Sequence, residues 1–165
     1  GVTRLTGDVE NFAAIYDKLT ALSPVPVEID ICPGEANGYF SSMENRIVLR
    51  PGMSQIQTVK TLVHEIAHAK LHDAKNIPPE ERKQRREKEV EAESIAYVVC
   101  QHFGIDTSEY SFGYVAGWSR GKEMNELKSS LDQIHSTAGE IIAALDDTCM
   151  VHTQVKSKPT PQFAR

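Results

Sequence analysis

The stretch "TLVHEIAHAKLHD", residues 61–73, sets three histidines four apart, His64, His68 and His72, with Glu65 directly after the first. On a helix, residues i and i+4 lie one turn apart on one face. His64 and His68 can therefore reach one ion with their ring nitrogens. Zinc takes imidazole at about 2.0–2.1 Å and prefers four ligands. Glu65 is rotated about 100° from His64 by the helical period. It flanks such an ion without binding it, the place for a base that takes a proton from an activated water. This is the mechanical content of H-E-x-x-H. The competing reading is a solvated polar face. Ile56, Val59, Leu62, Val63, Ile66 and Ala67 argue against it, because they make the rest of the segment apolar.

A third ligand must come from another element. "KEVEAESIAY" holds Glu87, Glu89, Glu91 and Glu93. Glu89 and Glu93 share a helical face with Ala92 and Ala96, whose small side chains permit close approach to the histidine helix. That spacing makes Glu89 the ligand and Glu93 a support for a histidine's distal N–H. Glu87 and Glu91 are read as a solvated face, Glu91 at a rim. His72 has drifted about 80° from His64 and is read as a supporting or helix-end residue. Tyr97, His102, Tyr110 and Tyr114 are candidates for stabilising an oxyanion, and nothing in the sequence chooses among them.

These segments need positioning elements. "DVENFAAIYDKLTAL" spaces Val9, Phe12, Ala13, Tyr16 and Leu19 as a helix over 8–22 with Asp8 as its cap. Val27, Ile29 and Ile31 alternate with Glu28 and Asp30, as in a half-buried strand. "YFSSMENRIVLR" reads as a hairpin turning near Met43–Asn45. Its second strand, Arg46–Arg50, is a candidate cleft rim whose edge could pair with an extended peptide. Ser54 and Gln57 form the S-x-x-Q capping box of the histidine helix, expected to run to about His72. A second helix is expected over about 79–103, stopped by Gly104. A last helix, capped by Ser119, carries Leu127, Leu131, Ile134, Ala138, Ile141 and Leu145 toward the core. The basic residues Arg82, Lys83, Arg85 and Arg86 are read as a solvated helix face.

The chain has 165 residues, 40% hydrophobic and 25% charged, with a net charge of −5. This is one globular domain over 1–150, with 151–165 as a flexible tail or linker stub. The charge argues against a general nucleic-acid surface. No apolar run reaches about 20 residues, so no membrane span is expected. Cys32, Cys100 and Cys149 include no CxxC pair and read as reduced thiols in a cytoplasm. The opening "GVTRLTGDVE" has neither an initiator Met nor a signal-peptide pattern, and suggests a domain cut from a longer protein.

"TLVHEIAHAKLH" followed by "EVEAESIAYVVC" resembles the ImmA/IrrE-type zincin-like metallopeptidases, whose pattern joins H-E-x-x-H to E-x-x-A-[N/D]-x-x-A. Glu89, Ala92, Glu93 and Ala96 occupy the second pattern, with Glu93 where Asn or Asp is usual. "GYFSSMENRIVL" is similar to the family's hairpin. "SFGYVAGW" resembles the peptidase domains of LtrC-like and ArdC-associated antirestriction proteins of mobile elements, where an upstream domain binds single-stranded DNA.

The resemblance implies an α+β, gluzincin-type fold: a small, mostly antiparallel sheet packed on a helical bundle carrying the HExxH helix. It implies Zn2+ held by His64, His68 and Glu89, Glu65 as catalytic base, and a protein or peptide substrate. A partner in nucleic acid would be met only through an upstream domain. The alternative is a non-proteolytic metal-containing module that regulates, or binds DNA or protein.

Overall fold

The computed structural model describes residues 4–107, 120 and 122–155. In chain order it contains helix α1 (Phe12–Leu22), strands β1 (Val27–Ile29), β2 (Gly38–Ser41) and β3 (Arg46–Leu49), and helix α2 (Gln55–Leu71). Two 3-10 turns follow, Ala74–Asn76 and Pro79–Glu81, then α3 (Arg85–His102) and α4 (Met124–Val155). The architecture is α+β, a three-stranded sheet against four helices. No helix among the described residues is long and apolar enough to cross a membrane.

The strand order is β1-β3-β2. β3 runs parallel to β1 and antiparallel to β2, so the sheet is mixed, where a mostly antiparallel one was expected. β3 is the centre and both its edges are used, which removes Arg46–Arg50 as the strand that could receive a peptide. β2 is the edge on the other side. Asn45 adopts φ 56° in the hairpin turn, a conformation that asparagine tolerates better than most residues. The alternation in β1 does not bury its apolar side: Ile29 and Ile31 are 60% and 83% exposed. Only three residues of that segment pair, so there is no sheet face beneath Ile31 to cover it.

The core lies between the sheet and the helices. Ile47 and Leu49 of β3 meet Leu19 of α1, Leu62 and Ile66 of α2, Ile95 of α3 and Ile141 and Leu145 of α4, all nearly inaccessible to solvent. Fully burying each such side chain contributes roughly 1.5–3 kcal/mol. Leu131 breaks the expected α4 stripe and is 57% exposed, while its neighbour Ser130 faces inward. A strict step of three and four drifts around a 3.6-residue helix.

Element ends differ from the sequence reading for visible reasons. α1 starts at Phe12, because residues 5–9 are held against the start of α2. Leu5 N–H donates to Gln57 Oε1 and Val9 N–H to Gln55 Oε1, both at 2.8 Å. Gln57 is thereby diverted, so the capping box is half formed. Ser54 Oγ accepts from Gln57 N–H at 3.1 Å, and the Gln57 amide instead donates to Thr61. The long polar helix from 79 is interrupted: Arg82 reaches back to the carbonyls of Ile77 and Ala74, and α3 begins only at Arg85. Gly104 ends it at φ 71°, and Ile105 N–H closes on the Cys100 carbonyl at 2.8 Å, as in a Schellman ending. α4 continues to Val155. Ser119 lies outside the described residues.

Gly38 brings β2 against α2. A methyl group there would stand 2.8 Å from both Thr61 Cγ2 and the Val48 carbonyl oxygen. Glycine is what permits this approach of strand to helix.

Candidate metal centre

α2 supplies His64, Glu65 and His68 from its third and fourth turns, and α3 packs beside it with Glu89. Ala92 and Ala96 are fully buried, so α3 can come close. His64 Nε2 and His68 Nε2 are 3.2 Å apart. Glu89 Oε2 lies 3.3 Å from His64 Nε2, and Oε1 lies 3.1 Å from His68 Nε2. Among the described residues, these three form the group whose donor atoms could hold a metal ion, all within 4.8 Å of one another. Tetrahedral zinc with ligands at about 2.0–2.1 Å sets neighbouring donors roughly 3.3–3.4 Å apart. The observed separations fit that set without rearrangement of either helix.

A second rank of side chains stands behind the donors. His64 Nδ1 is 3.2 Å from Glu93 Oε2, and Glu93 also pairs with buried Lys60. His68 Nδ1 is 2.9 Å from His72 Nδ1. His72 Nε2 is 2.7 Å from Glu91 Oε1. His72 is thus the helix-end residue expected and also touches a candidate ligand. Glu91 corrects the sequence reading: it is fully buried, bonded also to Lys83 and to Ser130 Oγ, and far from a solvated rim. Three donors from the chain before α3, from α2 and from α4 make a buried carboxylate tenable there. Local spacing could not show it, because Ser130 is 39 residues away. Glu87 pairs with Lys122 at 2.9 Å. Lys83 and Arg82 are engaged in bonds, and are not a free basic face.

Burial pulls the His64 imidazole toward neutrality, but hydrogen bonds to Glu89 and Glu93 outweigh it and hold its pKa at about 10. Burial raises both those carboxyls, yet their histidine contacts prevail. Glu93 is held at about 2 and Glu89 well below the usual carboxylate range. Burial raises Glu65, with His64 and His68 pulling the other way. Cys100, buried beneath Lys60 and Glu93, is pushed up to about 12 by burial. Cys32 and Cys100 are free and buried.

A cleft of about 600 Å³ opens over the centre, lined by His64, Glu65, His68 and Glu89 on one side and Gly38, Tyr39 and Phe40 of β2 on the other. Arg85 and Lys88 of α3 also line it. Of the oxyanion candidates, His102 is bonded to Asp146 at 3.1 Å at the far end of α3. Neither it nor Tyr97 is among the residues lining the cleft. Tyr110 and Tyr114 lie outside the described residues.

Residues 32–113 match the Peptidase_M78 family, the IrrE N-terminal-like domain. The IrrE N-terminal-like match takes in β2, β3, α2 and α3, the elements that build the cleft, and supports the ImmA/IrrE family. The small sheet on four helices is consistent with a zincin-like domain of that kind, and the match suggests metallopeptidase-type function. An uncharacterized protein of Bacillus anthracis is 36% identical over 107 residues, which is 61% of this chain and 17% of that protein. The chain thus spans a small part of that relative's length. No solved structure matches it.

Proposed function

We propose that this domain is a zinc-dependent metallopeptidase acting on an extended segment of a protein substrate. The observation that carries the reading is the His64–His68–Glu89 donor set at tetrahedral spacing beside a carboxyl group, Glu65, that shares its cleft. His64 and His68 offer Nε2, and Glu89 a carboxylate oxygen. A bound divalent cation supplies Lewis acidity, which makes water a competent nucleophile near neutral pH.

Glu65 takes the proton of the attacking water and returns it to the leaving amine. Its burial suits it, since a raised pKa brings a carboxylate closer to the pH at which it must exchange protons. β2 has β3 as its only strand partner among the described residues, so its other edge can hold a peptide by main-chain bonds. That places the peptide across the cleft from Glu65.

Three donors, with Glu65 beside them, favour catalysis over a closed structural site. The mobile-element and antirestriction setting rests on motif resemblance, including "SFGYVAGW", all of which lies outside the described residues. The deciding experiment loads the purified domain with zinc and measures cleavage of a randomised peptide mixture by mass spectrometry. New termini that appear with the wild type and vanish with Glu65→Gln support the reading. No cleavage by a zinc-loaded domain, over peptides and unfolded proteins alike, favours the non-proteolytic regulatory module.

A further inference from the structure

The geometry points to Arg85 and Lys88 as specificity-determining residues that receive an acidic side chain of the substrate, aspartate or glutamate, close to the scissile bond and on one side of it only. The inference rests on the peptidase reading above and names the substrate class of the same cleft.

Most cations near this part of the cleft are already engaged. Arg82 donates to the carbonyls of Ile77 and Ala74. Lys83 is paired with Glu91, Lys75 with Asp73 and Lys122 with Glu87. Arg86 is exposed but is not among the residues lining the cleft. Arg85 and Lys88 differ from all of these. Both line the cleft, and among the described residues neither side chain has a hydrogen bond or an ion pair. Glu89 lies four residues after Arg85, the spacing of a helical ion pair, yet its two oxygens face His64 and His68 instead. Glu87 is held by Lys122. The acids of their own helix turn are thus committed elsewhere. Arg85 is exposed and Lys88 half-buried, so an incoming side chain can reach both.

The two cations stand at one end of the cleft. β2 and α2 run the same way along it. Gly38 lies against Thr61 in the first half of α2, and Ser42, just past β2, is bonded to Asp73, just past α2. α3 runs the opposite way, since Glu93 reaches Lys60 while Glu91 reaches His72. Arg85 opens α3 and therefore falls at the Ser42 end, where His72 and Ala74 also line the wall. Of the described lining residues, Arg85 and Lys88 alone carry a permanent positive charge. Four residues of helix, from Glu89 back to Arg85, span about 6 Å. An extended peptide advances about 3.3 Å per residue. A peptide lying along β2 with its scissile bond opposite Glu89 thus brings a side chain about two positions away level with Arg85. A guanidinium grips a carboxylate there with two parallel bonds.

The test uses end-blocked peptides, so that only side chains supply carboxylates. Each shares a cut site established with the zinc-loaded wild type and carries one glutamate, before or after that site, or glutamine in its place. The glutamate peptide should have the higher kcat/KM by about fivefold, the upper range for an ion pair that keeps contact with water, and on one side only. In the double variant Arg85→Gln, Lys88→Gln that ratio should fall to near unity. Comparing two peptides on one preparation cancels any loss of folded or metal-loaded protein. Equal rates for glutamate and glutamine, an equal gain on both sides, or a gain that the double variant keeps would each overturn the inference. A second measurement needs no cleavage. Fluorescence anisotropy of the same labelled peptides with Glu65→Gln protein incubated with zinc should show the glutamate preference, and the double variant on that background should lose it. Binding that prefers glutamate, in a protein whose wild type cuts nothing, would defeat the metallopeptidase reading and leave this inference standing. Cutting without the preference would do the reverse.

Discussion

Glu93 meets His64 Nδ1 at 3.2 Å with one carboxylate oxygen and the buried Lys60 ammonium with the other. It is long enough to reach the ring from α3 even though the related pattern usually carries a shorter side chain at that position. Lys60 keeps the carboxylate ionised and holds it in place, so the imidazole has a fixed acceptor.

Removal of Glu93 should therefore weaken zinc binding without abolishing it. Glu93→Ala is expected to cost about 10–100-fold in affinity, and Glu89→Ala considerably more, because a donor itself is lost. Chelator competition measures both. Equal losses for the two variants would show that Glu89 is not a ligand.

Glu65→Gln should retain zinc affinity and the far-ultraviolet circular dichroism of the wild type while losing hydrolysis. The amide keeps the size of the side chain and cannot take a proton from water. Loss of zinc from this variant would place Glu65 among the ligands instead of beside them.

Zinc binding should release roughly one proton between about pH 7 and 9. The metal-free His64 is held protonated up to a pKa of about 10 by its two carboxylates, and it can ligate only after its Nε2 proton leaves. Affinity should accordingly rise by about tenfold per pH unit below that value. Titration calorimetry in buffers of different ionisation heat counts the proton directly, and a heat independent of buffer would refute the expectation.

The Glu91 network should make the fold sensitive to acid. The folded-state pKa values of Glu91 and His72 are both depressed. Such groups contribute stability that is present above their unfolded values, about 4.3 and about 6.5, and lost as pH falls through the folded ones. Urea midpoints should drop as the pH is lowered from about 7 toward 4. Glu91→Ala should cost about 3–5 kcal/mol at neutral pH, the penalty of breaking a buried ion pair, and should flatten that acid dependence. An unchanged midpoint in this variant would remove the network from the list of stabilising features.

The centre was legible wherever its chemistry is local. His64, Glu65 and His68 share one helix, and Glu89 and Glu93 share another with two alanines, so periodicity alone put them on facing surfaces. Glu91 was misread because its partners come from residues 72, 83 and 130, and spacing along α3 says nothing about them. Gln57 misled in the same way: its local capping geometry is intact in sequence, but Leu5 competes for its side chain. Ile29 and Ile31 alternate correctly for a strand, yet only three residues of β1 find a partner. The mixed sheet was not legible, since the direction of β1 depends on how α1 returns the chain and not on any residue within the strand.

Gly38 has one more consequence. With no side chain on Gly38, and with Thr61 Cγ2 and the Val48 carbonyl oxygen already in contact range of any added atom, the width of the groove between the edge of β2 and α2 is set at closest approach and cannot breathe much. A slot of fixed gauge admits a single unfolded strand and turns away a helix or a compact domain. Target choice would then be governed by where a substrate leaves a stretch of chain unstructured, before side-chain preference is consulted. Inserting the same peptide sequence into a flexible linker and into a stable helix of a carrier protein should yield cleavage of the first alone. Gly38→Ala, whose methyl group would clash with Thr61 and with the Val48 carbonyl oxygen, should force β2 away from α2 and depress cutting even of the linker.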